Sequence, residues 1–114
     1  MSAITTHVLD TAIGRPAAGV AVVLEFRARA GAAPVEVGRG VTDSDGRLKT
    51  LAPSGAIEPG DYQLTFDTGA YFAQQNMEAF YPRVVITWTV LAGTEHYHIP
   101  LLLSPFGYST YRGS

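Results

Sequence analysis

The sequence predicts an all-β protein, a sandwich or barrel of about seven or eight strands with one short helix. Apolar and polar residues alternate with a period of two along several segments, which is typical of half-buried strands. Clusters of Gly, Pro, Asp and Ser separate these segments and predict turns. The turn signals are Gly14-Arg15-Pro16, Asp43-Ser44-Asp45-Gly46, Glu58-Pro59-Gly60, Ala92-Gly93-Thr94 and Ser104-Pro105. The length of 114 residues predicts a single domain over residues 1–114.

The predicted strands follow one another along the chain. Residues 4–10 alternate between two faces, and residues 20–29 place apolar side chains on one face and charged side chains on the other. Residues 61–67 repeat this pattern. Residues 83–90 are rich in the β-branched and aromatic residues that suit a pleated sheet. The apolar run over residues 99–103 predicts a further strand near the end of the sequence.

One segment departs from the strand pattern and predicts the short helix. Asp67 and Thr68 are suitable N-cap residues. Residues 70–76 include several good helix formers. The helix is therefore expected directly after the strand over residues 61–67.

Composition excludes several classes of protein. The formal net charge of -2 argues against a nucleic-acid partner, because such proteins generally display a basic surface. The absence of cysteine excludes disulfides, thiolate metal sites and a cysteine nucleophile. No apolar run approaches the roughly 20 residues that span a bilayer, so no membrane partner is expected. The first residues lack the pattern of a signal peptide, which predicts a cytoplasmic protein.

The size of the chain bears on where a binding site could form. A domain this small buries only about two thirds of its unfolded surface, which leaves little room for both a core and a deep pocket. A cleft between subunits of a symmetric homo-oligomer is therefore expected.

The histidines are the first candidates for chemistry. The strand period places His96 and His98 on one face, where they could bind a metal or transfer protons. A zinc site would need a third ligand, for which His7 is the remaining histidine, and the HExxH pattern is missing. No metal site is predicted. Histidines held by ordinary hydrogen bonds are the alternative interpretation, and His7 could be a half-exposed strand residue.

A tight turn brings an arginine into the candidate set. Asp43-Ser44-Asp45-Gly46 resembles a calcium loop only superficially, because the EF-hand pattern needs its glycine at the sixth position and a glutamate at the twelfth. The segment instead predicts a turn that delivers Arg47 to the start of the next strand. A solvent-facing arginine is the alternative.

The ending Tyr111-Arg112-Gly113-Ser114 places an aromatic ring, a guanidinium and a hydroxyl directly after the last predicted strand. Nucleophile elbows, phosphate-binding loops and paired carboxylates are missing from the sequence. The remaining set of histidine, arginine, serine and tyrosine suits the addition of water to an activated carbonyl.

Five blocks of the sequence belong together: ITTHVLDTAIGRPA over residues 4–17, Asp45-Gly46-Arg47, Tyr71-Phe72, Phe80-Tyr81-Pro82 and HYHIPLLLSPFGYSTYRGS over residues 96–114. They resemble the 5-hydroxyisourate hydrolases, transthyretin-related enzymes of urate breakdown. The resemblance runs through nearly the whole chain. Its most specific part is the ending over residues 111–114, which transthyretin, a hormone carrier of the same fold, lacks.

The resemblance implies a transthyretin-like two-sheet β-sandwich of about eight strands with one short α-helix. It further implies a homotetramer, a dimer of dimers, with active sites at the dimer–dimer interface. The residues implied as catalytic are His7, Arg47, His98 and Ser114. Those implied to help bind the substrate are Tyr111, Arg112 and Gly113, and His96 ranks below His98.

The reaction implied by the resemblance is hydrolysis of 5-hydroxyisourate, the unstable product of urate oxidation, without a cofactor. Water would attack an amide-type C–N bond and open the ring to give 2-oxo-4-hydroxy-4-carboxy-5-ureidoimidazoline. Either His7 or His98 could be the base, and Ser114 could act through its hydroxyl or its terminal carboxylate. The competing hypotheses are a transthyretin-like carrier of an aromatic ligand and a structural or adhesion module.

Overall fold

A computed structural model describes residues 3–52, 57–93 and 96–114. The described part of the chain forms nine strands and one helix. The elements are β1 (Ile4–Asp10), β2 (Arg15–Pro16), β3 (Ala21–Arg27), β4 (Val35–Val41), β5 (Arg47–Leu48), β6 (Gly60–Phe66), α1 (Thr68–Ala73), β7 (Val84–Val90), β8 (Tyr97–Leu103) and β9 (Tyr108–Thr110).

The strands form two sheets. The first sheet has the order β2-β1-β8-β9, and β5 also pairs with β1. The second sheet has the order β4-β3-β6-β7. β1 and β8 run parallel, and the other pairs are antiparallel. The parallel pair places the beginning of the chain beside its end.

The core lies between the sheets and follows from the alternation of side chains. Ile4 and Val8 of β1 and Leu101 of β8 are fully buried on the inner face of the first sheet. Leu24 and Leu64 are fully buried in the second sheet. Burial of each such side chain stabilises the fold by about 1.5–3 kcal/mol. The other face of the first sheet is therefore free to carry polar groups.

The helix is fastened to the first sheet by a buried hydrogen bond. The Asp67 side chain accepts a hydrogen bond from the Ala70 amide at 3.3 Å and caps the helix. The Tyr71 hydroxyl donates to the Asp10 carboxylate at 2.8 Å. The helix ends at Ala73, before the predicted residue 76, and Asn76 has a left-handed φ of 57° that a continuing helix would not allow.

The expected all-β sandwich with one short helix is confirmed. The structure has nine strands where about eight were expected, because two two-residue strands, β2 and β5, share the edge of β1. The alternation pattern also missed β4, in which Gly38 and Gly40 interrupt the pattern. Of the turn predicted over residues 92–94, residue 94 lies outside the described residues. The described helix has six residues, far short of a membrane span.

Candidate active site

A polar cavity of about 190 Å³ lies at one edge of the first sheet. It forms where β1, β5 and β8 meet the last residues of the sequence. We call it the histidine cavity. Its lining residues are Thr5, Thr6, Arg47, Lys49, His96, His98 and Ser114.

Strand pairing brings the candidate residues together from distant parts of the chain. His7 of β1 pairs with Arg47 of β5, and Thr5 pairs with His98 of β8. His7 is half-buried and adjoins the cavity beside Arg47, but it is not one of the lining residues. The register of two strand pairs therefore sets which side chains meet.

The turn before β5 aims Arg47, as the sequence predicts. One carboxylate oxygen of Asp43 accepts hydrogen bonds from the amides of Asp45 and Arg47, both at 2.9 Å. The amide of Arg47 is the largest influence on the pKa of Asp43 and lowers it, because it stabilises the charged carboxylate. Burial opposes this shift, and the amide of Asp45 adds to it. Gly46 is buried with a φ of +74°, and a Cβ there would lie 2.4 Å from the Val8 carbonyl oxygen. This packing permits only glycine.

The imidazole of His98 is held from two sides. Its Nδ1 lies 2.8 Å from the Thr5 hydroxyl oxygen. The Gly113 amide donates to the His98 carbonyl at 2.8 Å, and a Cβ on Gly113 would lie 2.6 Å from His98 Cδ2. Among the described residues, Nε2 of His98 has no hydrogen-bond partner. Nε2 is therefore the ring nitrogen available for chemistry.

The surroundings of His98 favour its neutral form. Burial lowers the pKa of His98 below its ordinary value of 6.5, and the positive charges of Arg47, His7 and His96 lower it further. A neutral imidazole has a lone pair at neutral pH and can accept a proton from water. The cavity therefore combines a neutral imidazole with the guanidinium cation of Arg47.

The last four residues are divided between two regions. Ser114 lines the histidine cavity and Gly113 packs on His98. Tyr111 and Arg112 instead line a separate hollow of about 270 Å³, where the Arg112 guanidinium lies 4.7 Å from the centre of the Tyr97 ring. We call this hollow the indole groove. Its lining residues are Ile86, Thr87, Trp88, Thr89, Tyr97, Ile99, Thr110, Tyr111 and Arg112.

Three residues of the histidine cavity, Thr5, Thr6 and Lys49, are not among the candidates that the sequence indicates. Thr5 shares a strand face with His7, and this was the one signal that could have indicated it. Lys49 follows Arg47 by two residues, which is too common a spacing to stand out.

Within residues 3–52, 57–93 and 96–114, no group of three or more His, Cys, Asp or Glu side chains is arranged to hold a metal ion.

The fold and the cavity define a class: a two-sheet β-sandwich protein with a histidine–arginine site at the edge of one sheet. The model of the HIUase/Transthyretin family matches residues 4–113. The chain belongs to this family.

Individual relatives agree with the family assignment. The chain is 46% identical over 111 residues to the 5-hydroxyisourate hydrolase of Salmonella typhimurium, covering 97% of this chain and 80% of that protein. The structure of Klebsiella pneumoniae 5-hydroxyisourate hydrolase is similar with a TM-score of 0.83 and 36% identity, covering 99% of this chain and 100% of that one. Sea bream transthyretin in complex with thyroxine is similar with a TM-score of 0.89 and 30% identity, covering 97% and 94% of the two chains.

Proposed function

We propose that this protein hydrolyses 5-hydroxyisourate and opens its ring to give 2-oxo-4-hydroxy-4-carboxy-5-ureidoimidazoline. One observation supports this proposal most strongly. His98, whose pKa is lowered, and Arg47 line the same cavity. The relatives named for this activity match nearly the whole chain. The family model spans residues 4–113, so His7, Arg47 and His98 lie within the matched region.

A carrier function like that of transthyretin is less well supported. The backbone does not separate the two functions, because the TM-score is 0.89 for the transthyretin complex and 0.83 for the hydrolase. The side chains do separate them. Arg47, Lys49 and His98 around one cavity would be costly to bury under an apolar ligand. A polar, hydrogen-bonding substrate suits this lining better.

The proposed reaction begins with proton transfer to a histidine. Water attacks the carbonyl carbon of the amide-type C–N bond and gives one proton to Nε2 of His98, forming a tetrahedral oxyanion. The C–N bond then breaks, and the proton passes from the imidazolium to the leaving nitrogen. Because the lowered pKa keeps His98 neutral at pH 7, His98 is the better candidate for the base, and His7 beside Arg47 would assist. These steps use water and side chains alone, without a cofactor.

Arg47 and the end of the sequence complete the proposed site. The guanidinium of Arg47 is a fixed planar cation suited to the oxygen that becomes negative during attack. Ser114 would orient water or substrate through its hydroxyl, which Ser114→Ala removes. Gly113 would shape the site through its contact with His98, and Tyr111 and Arg112 would do so through the placement of the segment that carries them.

We further propose a homotetramer, a dimer of dimers, with the histidine cavity at the dimer–dimer interface. Leu9 and Leu102 pair across β1 and β8 on the outer face of the first sheet, and both are only partly buried in the single chain. A second copy packed on this face would bury them and close the cavity. Light scattering should give the mass of a tetramer, and Leu102→Lys should reduce both assembly and turnover. A fully active monomer would contradict this proposal.

A cytoplasmic location is proposed from the sequence and is tested by cell fractionation. Recovery of the protein with the membrane or in the medium would oppose it.

The proposed activity is tested by following freshly generated 5-hydroxyisourate spectroscopically with and without the protein. The spontaneous decay supplies the baseline. An accelerated decay that scales with protein concentration supports the hydrolase. An unchanged decay together with tight binding of an aromatic ligand would favour the carrier.

A further inference from the structure

We propose that Thr5 is a positioning residue for His98, and that its hydroxyl accepts a hydrogen bond from Nδ1–H so that Nε2 is left as the proton acceptor. This inference rests on the proposed hydrolase function of the histidine cavity. It goes beyond that function because it assigns the tautomer of the His98 ring and names the Thr5 hydroxyl as the group that determines this tautomer.

The contact is built into the sheet. Thr5 and His98 are paired residues of the parallel strands β1 and β8, and the distance from Thr5 Oγ1 to His98 Nδ1 is 2.8 Å. Thr5 is only 6% exposed. Within the described part of the chain, His98 is the one hydrogen-bond partner of the Thr5 hydroxyl. The strand ladder therefore holds both groups at hydrogen-bonding distance.

The direction of this hydrogen bond decides what His98 can do. If Thr5 donates to Nδ1, the proton of the neutral ring lies on Nε2, and that nitrogen cannot accept another. If Thr5 accepts from Nδ1–H, Nε2 carries the lone pair. Arg47 and Lys49 line the same cavity and supply donors, which favours a lone pair on the cavity side. Thr5 also lines the cavity, so its hydroxyl hydrogen can be donated to water there.

The arrangement in which the Thr5 hydroxyl accepts from Nδ1–H of His98 also suits the transfer of a proton to and from Nε2. When Nε2 takes a proton from water, Nδ1–H remains bonded to the Thr5 oxygen, so neither group has to turn. Gly113 packs against the ring at Cδ2 and limits rotation from that side. Thr5 and Gly113 together would keep the imidazole in one orientation in both protonation states.

The groups around the His98 ring determine how Thr5→Val should change the pH dependence of the activity. Arg47, His7 and His96 oppose protonation of His98, and Lys49 and Ser114 also line the cavity. A hydroxyl that accepts from Nδ1–H favours the imidazolium. Thr5→Val removes this acceptor without changing any charge. The acidic limb of the pH profile should therefore move to lower pH in this variant.

The experiment compares three variants. Thr5→Val removes the hydroxyl at nearly constant shape, and Thr5→Ser retains it. Thr11→Val is the matched control, because the Thr11 hydroxyl donates to the Leu103 carbonyl at 3.0 Å and lies outside the cavity. We expect kcat to fall about 10- to 100-fold in Thr5→Val, with KM little changed. Thr5→Ser should recover most of the loss, and Thr11→Val should retain wild-type kcat.

The tautomer is measured separately by nitrogen NMR of the histidine rings in the protein without substrate. We expect His98 of the wild type and of Thr5→Ser to carry its proton on Nδ1, and that of Thr5→Val to lose this preference. A wild-type His98 protonated on Nε2 would overturn the proposal. Wild-type kcat in Thr5→Val, or equal losses in the Val and Ser variants with the Nδ1–H tautomer retained, would also overturn it. If the wild type does not hydrolyse 5-hydroxyisourate, the proposed function fails, and the NMR result alone decides on Thr5.

Discussion

The histidine cavity and the indole groove are neighbouring hollows with opposite chemistry. Charged and polar side chains line the cavity, and its central ring, His98, is hydrogen-bonded and packed against Gly113. Aromatic and apolar side chains dominate the groove. There the buried indole N–H of Trp88 has no hydrogen-bond partner among the residues the structure describes. Preorganised polar groups are characteristic of a reaction site, so the smaller hollow is the better candidate.

The same four residues, 111–114, contribute to both the histidine cavity and the indole groove. Residues 111–114 continue beside β8, where Gly113 forms a bridge with His98. Arg112 lies against the Tyr97 ring, whereas the next residue, Gly113, packs on His98. Adjacent residues of one motif therefore have different surroundings, and we expect them to differ in their effect on catalysis.

The largest effect is expected from His98→Asn. This change retains a polar side chain but removes the base, so kcat should fall about 10²- to 10⁴-fold. The measurement is the initial rate of 5-hydroxyisourate decay above the spontaneous rate, with thermal unfolding as the control for folding. Unchanged kcat in a folded variant would remove His98 from the mechanism.

Arg47→Met should have the next largest effect. Loss of the cation that stabilises the oxyanion should lower kcat about 10²- to 10³-fold. Arg47 also lowers the pKa of His98, so the acidic limb of the remaining activity should shift to higher pH. Arg83→Met is the charge-matched control, because Arg83 lines a different hollow on the second sheet. Equal losses in both variants would show that the effect is not specific to the cavity.

Gly113→Ala tests the contact between the last residues of the sequence and His98. The added Cβ would lie 2.6 Å from His98 Cδ2, so the ring or the chain must shift. We expect kcat to fall about 10- to 100-fold, because small displacements of reacting groups are costly. Gly107→Ala is the control, since the nearest atom to a Cβ there is the Ser104 hydroxyl at 3.9 Å. Wild-type kinetics for Gly113→Ala would show that the close packing has no catalytic role.

The smallest effect is expected from Arg112→Ala. The residue lies in the indole groove, and its contact with Tyr97 is of the cation–π type, worth about 0.5–1 kcal/mol at an exposed site. Loss of that contact should lower kcat/KM about two- to fivefold through the placement of the ending. A loss of 10²-fold or more would mean that Arg112 acts directly on the substrate, and the proposed difference between the two hollows would be wrong.

Local patterns in the sequence predicted most of the fold. Alternation indicated β1, β3 and β6, the N-cap pair Asp67-Thr68 indicated α1, and the turn at Asp43 correctly placed Arg47 at the start of β5. β4 was not predicted, because its glycines and charged residues interrupt the alternation of apolar and polar side chains. The two-residue strands β2 and β5 exist only because the edge of β1 is available to pair with them.

The residues that form the site were harder to predict from the sequence than the fold. The resemblance indicated His98 and Arg47, but the hydrogen bond between Thr5 and His98 joins residues 93 positions apart. That contact depends on the parallel register of β1 and β8, and no local pattern encodes a register between distant strands. The division of residues 111–114 between two hollows also requires the packed sheets. Tertiary pairing therefore decides which of the candidate residues meet.

The most direct test of the account is the pH dependence of kcat/KM for 5-hydroxyisourate, with the spontaneous decay subtracted at each pH. Burial, and then the charges of Arg47, His7 and His96, lower the pKa of His98. Protonation removes the lone pair, so activity should be complete above this pKa and fall as the pH drops through it. We expect an acidic limb with its midpoint below the ordinary histidine pKa of about 6.5, and no such limb in His98→Asn. A midpoint at or above that value, or the same limb in His98→Asn, would contradict it.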